Sequence, residues 1–367
     1  MGLPYACPEE EVARQDSGGG RGSPRRRRRR AILRPHRCSR VTPGVAGRRK
    51  SGSLVRQTGR CGMTGRAGND DGADTLARVG TLATSPDAYG VWVAEGEGDI
   101  PWPRFLDTAA SGGYSMIEMG PLGYLPSDPA RLRDELAKRS LGLTGGYVTG
   151  LLHDRDGRAE ALEELRQVAA LSAAAGARFL VLLARTTRGP QGRIALAPPE
   201  WRAMVDGVKE ADRIAREEFG LTTVYHPHIG LAVETRAETE RLVADTGGEI
   251  ALCLDVGHFV YPGDGPVGFL RRHAEVIQYL HLRDVDRAVR DDAVATNKDF
   301  WGAVFAGLFC EPGEGILDFA GLVDVLRETG FGGPAVVERS LHAQPHEVSA
   351  ATAARAYRFF RGIGFGG

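Results

Sequence analysis

Cysteine is sparse in this chain, and none of it is spaced for chemistry. Cys7, Cys38, Cys61, Cys253 and Cys310 are scattered, which excludes a disulfide framework and a CxxC zinc site. No apolar run reaches 18 residues and no hydrophobic stretch follows the N-terminal arginines, so a membrane span and a secretory signal are excluded and a cytoplasmic location is expected. Net charge is lacking too, with 47 Lys+Arg against 47 Asp+Glu. That balance is a cancellation. Residues 1–62 hold 16 basic and 4 acidic residues, whereas the remainder holds 31 and 43. An acidic globular segment therefore follows a basic leader.

The leader carries six consecutive arginines, Arg25 to Arg30, among Gly, Ser and Pro with almost no apolar periodicity. Residues 1–75 are expected to be disordered. Clustered arginine suits a nucleic-acid tail, and a targeting peptide is a second reading, weakened by the acidic residues that precede the arginines. The reading favoured is a start assigned too early, with translation beginning near Met63.

Beyond the leader, apolar β-branched runs alternate with helical periodicity. Strands are expected at about 78–83, 115–119, 141–148, 178–184, 221–228, 250–255, 276–282 and 334–338. Helices are expected over 130–139, where Asp128-Pro129 supplies an N-cap and a proline at the first position, over 158–175 ending at Gly176, and over 198–219 ending at Gly220. Eight βα repeats imply a parallel sheet closed into one (β/α)8 TIM barrel over 76–367, an α/β fold that holds roughly 250 residues as one domain.

Four of the runs end on ionisable or metal-ligating side chains. They are His226 and His228 in Thr-Val-Tyr-His-Pro-His, Asp255 and His258 in Leu-Cys-Leu-Asp-Val-Gly-His, His281 in Tyr-Leu-His-Leu-Arg-Asp, and Glu338 in Ala-Val-Val-Glu. A barrel brings all four to one rim, where two carboxylates and several imidazoles make a divalent-metal site. Asp255 emerges from a buried strand, so its charge needs a metal or another cation, unless it merely caps the next loop. Gly257 beside it predicts a close approach of backbone to ligand.

His226 and His228 fall on one side of an extended strand and can offer a metal ligand and a proton-transfer group. A lone histidine after a strand is commonly just hydrogen-bonded, but His281 is followed by Arg283 and Asp284. Glu338 is a ligand, a base, or both. Glu118 is a strand-end carboxylate on the opposite side of the barrel, read either as a salt-bridged rim residue or as a substrate contact. Trp92, Phe300 and Trp301 are expected in connecting loops, packed together or lining a sugar-sized pocket. The run Glu311-Pro312-Gly313-Glu314-Gly315 lacks the Lys and Ser/Thr of a phosphate loop and reads as a turn before a helix from Asp318.

Taken in order, Tyr-His-Pro-His-Ile-Gly at 225–230, Leu-Asp-Val-Gly-His at 254–258, His-Leu-Arg-Asp at 281–284, Pro-Gly-Glu-Gly at 312–315 and Val-Val-Glu at 336–338 resemble the xylose isomerase-like sugar isomerase/epimerase superfamily. Within it they resemble the inosose (2-keto-myo-inositol) dehydratases, as do residues 85–92 and 117–124. The resemblance spans 76–365. It implies a divalent metal at the strand ends, with Asp255, His281 and Glu338 on three ligand positions. The fourth, a glutamate in many relatives, is His226 here, with His228 or Glu234 as substitutes. Arg283 stands where lysine is usual, which keeps the charge but changes its reach. Ser340 stands where a carboxylate is frequent.

The cofactor expected is manganese or cobalt, with zinc or magnesium as alternatives, since imidazole and carboxylate ligands do not select a thiophilic metal. The activity expected is a lyase that dehydrates a keto-inositol through an enediolate. Glu338 or a histidine of the 226/228 pair is the base, and His258 protonates the departing hydroxyl. Glu118, Arg283, Trp92 and Trp301 are the substrate contacts expected. A ketose 3-epimerase or hydroxypyruvate isomerase is the alternative, because it shares the enediolate. An endonuclease-like, nucleic-acid-binding barrel comes third, since an acidic barrel repels phosphate backbones. The partner expected is a small sugar or cyclic polyol ketone, with no membrane and no nucleic acid, and homo-oligomers are compatible with it.

Overall fold

The computed structural model describes residues 78–367 apart from 97–99, 190–191, 264 and 340–344. The leader, Met63 and Ser340 lie outside the described residues. Among the described residues nine parallel segments form the path of the central sheet: β1 (Val79–Thr84), β2 (Met116–Ile117), β3 (Gly142–Leu143), β4 (Gly145–Gly150), β5 (Phe179–Ala184), β6 (Thr222–Tyr225), β7 (Ala251–Asp255), β8 (Ile277–Leu282) and β9 (Pro334–Val337), with a tenth, Phe365–Gly366, paired beside β1. Their order is β3-β2-β1-β9-β8-β7-β6-β5-β4.

The two ends of that order, β3 and β4, are one chain run divided at Thr144. Gly142 N donates to Ser115 O (2.8 Å) and Thr144 N to Ile117 O (2.9 Å), whereas Gly145 to Gly150 pair with Phe179 to Ala184. One run thus serves both edges, and the eight expected strand runs close as a barrel.

Two strands stop short of expectation. Around 221–228 the ladder ends at Tyr225, because Pro227 has no N–H to continue it. The second run keeps only Met116–Ile117 in the sheet, although Glu118 N still donates to Thr84 O (2.9 Å) before Gly120 turns at φ 72°. Both departures leave a polar residue, His226 or Glu118, just beyond a strand end, its N–H still bonded to the neighbouring strand.

The helices between the strands follow their caps. Asp128 accepts from Arg131 N (2.7 Å) at the start of Pro129–Ala137. Asp154 accepts from Gly157 N (2.8 Å), so the third-run helix begins at Arg155, three residues earlier than the periodicity predicts. Pro198–Phe219 ends where Gly220 takes φ 70°. Asp318 caps Phe319–Thr329 through Gly321 N (2.9 Å).

Period-two alternation divides the apolar residues into two layers. Val181, Leu183, Val224, Cys253, Tyr279 and Val336 point into the barrel. Leu180, Leu182, Leu252, Leu254, Leu280, Leu282 and Val337 point outward under the helices. Asp255 follows Cys253, His281 follows Tyr279 and Glu338 follows Val336, each by two residues. Alternation therefore aims all three charged side chains inward, above a dry plug.

The glycine-rich run at 311–315 is a strap around one buried carboxylate. Asp284 accepts from Gly313 N and Gly315 N through Oδ2 (2.9 Å each) and from Val285 N (2.9 Å) and Leu317 N (3.1 Å) through Oδ1. A Cβ on Gly315 would collide with that carboxylate. Glu311 holds the strap's other end through Arg339 and Arg355, at 2.6 Å each. Asp284→Ala leaves several buried N–H groups unsatisfied and is expected to cost roughly 2–4 kcal/mol, read as a lowered midpoint in urea with unchanged m-value. An unaltered midpoint would show the strap to be incidental.

Candidate active site

Strand register sets the site. His281 on β8 lies directly beside Asp255 on β7, and its other neighbour is Val336 on β9, which puts Glu338 one inward residue higher. His226 N donates to Leu182 O (2.9 Å), so its ring enters from the β6 side. All four side chains are buried, as are Glu118, His258 and Arg283.

Among the described residues, two groups of side chains have ligand atoms within 4.8 Å of one another: His226, Asp255 and His281, and Glu118, His281 and Glu338. Asp255 Oδ2 stands 3.8 Å from His226 Nε2 and 3.8 Å from His281 Nδ1, which itself lies 3.0 Å from Glu338 Oε2. The imidazoles are held by their remote nitrogens. His226 Nδ1 contacts Pro227 O (2.8 Å) and His281 Nε2 contacts Glu118 Oε2 (3.1 Å). Since the carbonyl calls for N–H at Nδ1, His226 Nε2 faces Asp255 as a lone pair; His281 has carboxylates at both nitrogens and so holds two protons, one of which a metal at Nδ1 would displace. Two imidazole nitrogens and two carboxylate oxygens thus converge in a buried space, which fits a divalent cation.

Glu118 is oriented in turn. Tyr279 Oη donates to its Oε2 (2.8 Å), and Thr144 Oγ1 meets Tyr279 Oη (2.7 Å). Its placement is behind His281, so the structure gives it an orienting role ahead of the substrate contact expected of it. Glu338 Oε1 accepts from Ser85 Oγ (3.1 Å), and Asp255 Oδ1 from His258 N (2.8 Å). Asp255 therefore caps the short helix Val256–Val260 and faces the histidines at once. The two readings of that residue were not exclusive.

Arg283 binds both carboxylates: Nε lies 2.8 Å from Asp255 Oδ2, and Nη2 donates to Glu338 Oε2. Gly257 is small for this arginine's sake, because a Cβ there would strike Arg283 Cγ. The close approach expected at Gly257 is real, but what approaches is a side chain of the protein.

Burial drives His226, His228 and His258 toward the neutral form. Neighbouring imidazoles add to this at His226 and His258, and His228 is brought down to about 3. His281 goes the other way. Burial alone would lower it, but Cys253, Glu338 and Glu118 hold its proton firmly; burial pushes the Cys253 thiol itself up to about 11, so the carboxylates carry the effect. Asp255 is raised by burial against the pull of Arg283 and His281. At Glu338, His281 and Arg283 outweigh burial and keep the carboxylate well below its usual range.

The remaining expected residues line the adjoining wall. The His228 and His258 rings lie 3.7 Å apart between centroids, tilted by 40°, and Phe300 meets them at 5.5 and 5.3 Å. His228 Nδ1 contacts Ile229 O (2.7 Å), whereas neither ring nitrogen of His258 has a hydrogen-bond partner. Phe300 and Trp301 belong to a helix, Phe300–Phe305, and not to a loop. Trp301 packs on Trp92 (5.1 Å) behind Phe300 (5.2 Å). Glu234 is engaged by Gly230 N (2.7 Å) and Arg193 (3.2 Å), and it is in neither of the two groups whose ligand atoms converge. Sequence reasoning missed Tyr279, Thr144 and Ser85. The two-residue spacing of Tyr279 from His281 was the available signal.

The family described as Xylose isomerase-like TIM barrel matches residues 106–361. The chain belongs to that family and is an enzyme. It is 33% identical over 245 residues to inosose dehydratase of Geobacillus kaustophilus (strain HTA426), covering 64% of this chain and 79% of the relative. It is 34% identical over 255 residues to the rhizopine catabolism protein MocC of Rhizobium meliloti, covering 67% and 77%. Among solved structures, the IOLI protein with a bound zinc atom superposes with a TM-score of 0.62 at 18% identity, over 78% of this chain and 99% of that one. L-ribulose 3-epimerase superposes with 0.58 at 20% identity, over 79% and 94%.

If the ligands are those that converge on Asp255 Oδ2, Asp255→Ala removes the shared oxygen. Elemental analysis after gel filtration is expected to find less than about a tenth of wild-type metal in this variant. Wild-type content would refute the assignment.

Proposed function

We propose that this protein is a metal-dependent carbon–oxygen lyase that removes water from a keto-inositol in the cytoplasm. The observation that carries the reading is the convergence of two imidazole nitrogens, His226 Nε2 and His281 Nδ1, on the oxygens of Asp255 and Glu338, beside a second, neutral pair of imidazoles. The similarity to inosose dehydratases supports the substrate class, and the zinc carried by the IOLI protein supports a metal.

Asp255, His281, Glu338 and His226 would hold the metal, manganese or cobalt ahead of zinc or magnesium. When bound it supplies Lewis acidity to a substrate ketone, which makes the neighbouring C–H more acidic.

The protein's own groups then divide the proton transfers. Glu338 is already engaged by Ser85, His281 and Arg283, so it serves better as ligand than as base. His228, with Nδ1 committed to Ile229 O, presents Nε2 as a lone pair and takes the proton beside the carbonyl. His258 gives a proton to the β-hydroxyl, which leaves as water. His258 is held neutral by burial, so the proton it delivers would be the one taken by His228, whose ring lies 3.7 Å away between centroids. Phe300, with Trp92 and Trp301 behind it, forms an apolar wall that keeps bulk water from this pair.

A ketose epimerase or isomerase is the second reading, favoured by the fold shared with L-ribulose 3-epimerase. There the abstracted proton returns to carbon. Incubation of scyllo-inosose with the manganese-loaded protein, followed by mass spectrometry, is expected to show loss of one water. An unchanged mass, with deuterium taken up from heavy water, would contradict the lyase reading and favour the epimerase.

A further inference from the structure

Two cations have claims on the same two oxygens. Asp255 Oδ2 and Glu338 Oε2 face His226 Nε2 and His281 Nδ1, yet both are also bound by Arg283. The other oxygen of each carboxylate is spoken for, by His258 N and by Ser85 Oγ. The arginine is built in. Its aliphatic stem lies on Gly257, and its guanidinium sits 4.8 Å from the centroid of Phe309. Its planar fork spans two carboxylates on the strands that flank its own, which the single ammonium of a lysine does less well.

We propose that Arg283 is an internal counter-cation that competes with the metal for Asp255 Oδ2 and Glu338 Oε2, and so sets how tightly the metal is held. The inference rests on the metal reading above. Two buried carboxylates need positive charge if the barrel rim is to stay folded, and the guanidinium supplies it without a metal. The cost falls on affinity, because a divalent cation sharing those oxygens is repelled by the arginine at close range in a medium of low dielectric constant. The metal becomes exchangeable, and the fold does not depend on its supply.

The test compares the full chain with Arg283→Met and Arg283→Lys, each stripped with a chelator. Manganese affinity is measured by calorimetry, and melting with and without chelator. Arg283→Met is expected to bind manganese at least about tenfold more tightly than wild type. In chelator it is expected to melt lower by at least ~5 °C and to recover when manganese is added. Arg283→Lys is expected to fall between, and it carries the test if the methionine variant does not fold. Gly257→Ala, which pushes the arginine aside while keeping its charge in the chain, is expected to shift affinity in the same direction.

Equal or weaker manganese binding in the variants, or equal melting in chelator, would overturn the proposal while leaving the metal site intact. No uptake of manganese, cobalt or zinc by wild type or variants would overturn the metal reading and this inference together.

Discussion

Two carboxylates, Asp255 and Glu338, are buried on the inner rim of a parallel barrel, and their charge must be balanced where water cannot do it. The chain answers with Arg283 across both oxygens, with His281 between them, and with a space that suits a divalent cation. Much of the surrounding structure follows from that need. Gly257 makes room for the arginine stem, Ser85 and the helix at Val256–Val260 each occupy one carboxylate oxygen, and Glu118 fixes the imidazole.

The same constraint explains how the site is braced from below and from the side. From below, Thr144 and Tyr279 hold Glu118, so a hydrogen-bonded column runs up the barrel interior to His281. At the side, Asp284 follows Arg283 in sequence and anchors the strap at 311–317, while Arg339 follows Glu338 and is tied to Glu311. Two of the residues that carry charge into the site, Arg283 and Glu338, are thus next in sequence to a residue that fastens the rim. Neighbours in a strand point to opposite faces, which lets one do chemistry while the next does packing.

The barrel and most of the site were legible in the sequence because both rest on period-two patterns. Leu-Cys-Leu-Asp and Ala-Val-Val-Glu state their register and their burial directly, and the eight runs could be counted. Strand ends were less legible. The run at 221–228 stops early for want of one N–H at Pro227, and the run at 141–148 is divided at Thr144 because it serves two edges of a closed sheet, a property of the tertiary fold. The identity of partners was least legible of all. Glu118 reads as a rim carboxylate until Tyr279 and His281 are placed beside it, and Gly257 reads as a ligand approach until Arg283 is laid across it. Such pairings join residues far apart in the chain, with no local pattern to announce them.

The most direct measurement of the central claim is an anomalous difference map from crystals of the manganese-loaded protein, collected at the manganese absorption edge. The account predicts one strong peak within coordination distance of Asp255, His281, Glu338 and His226. A peak held by Glu118, His281 and Glu338 without Asp255 and His226, or one lying away from the barrel rim, would contradict it.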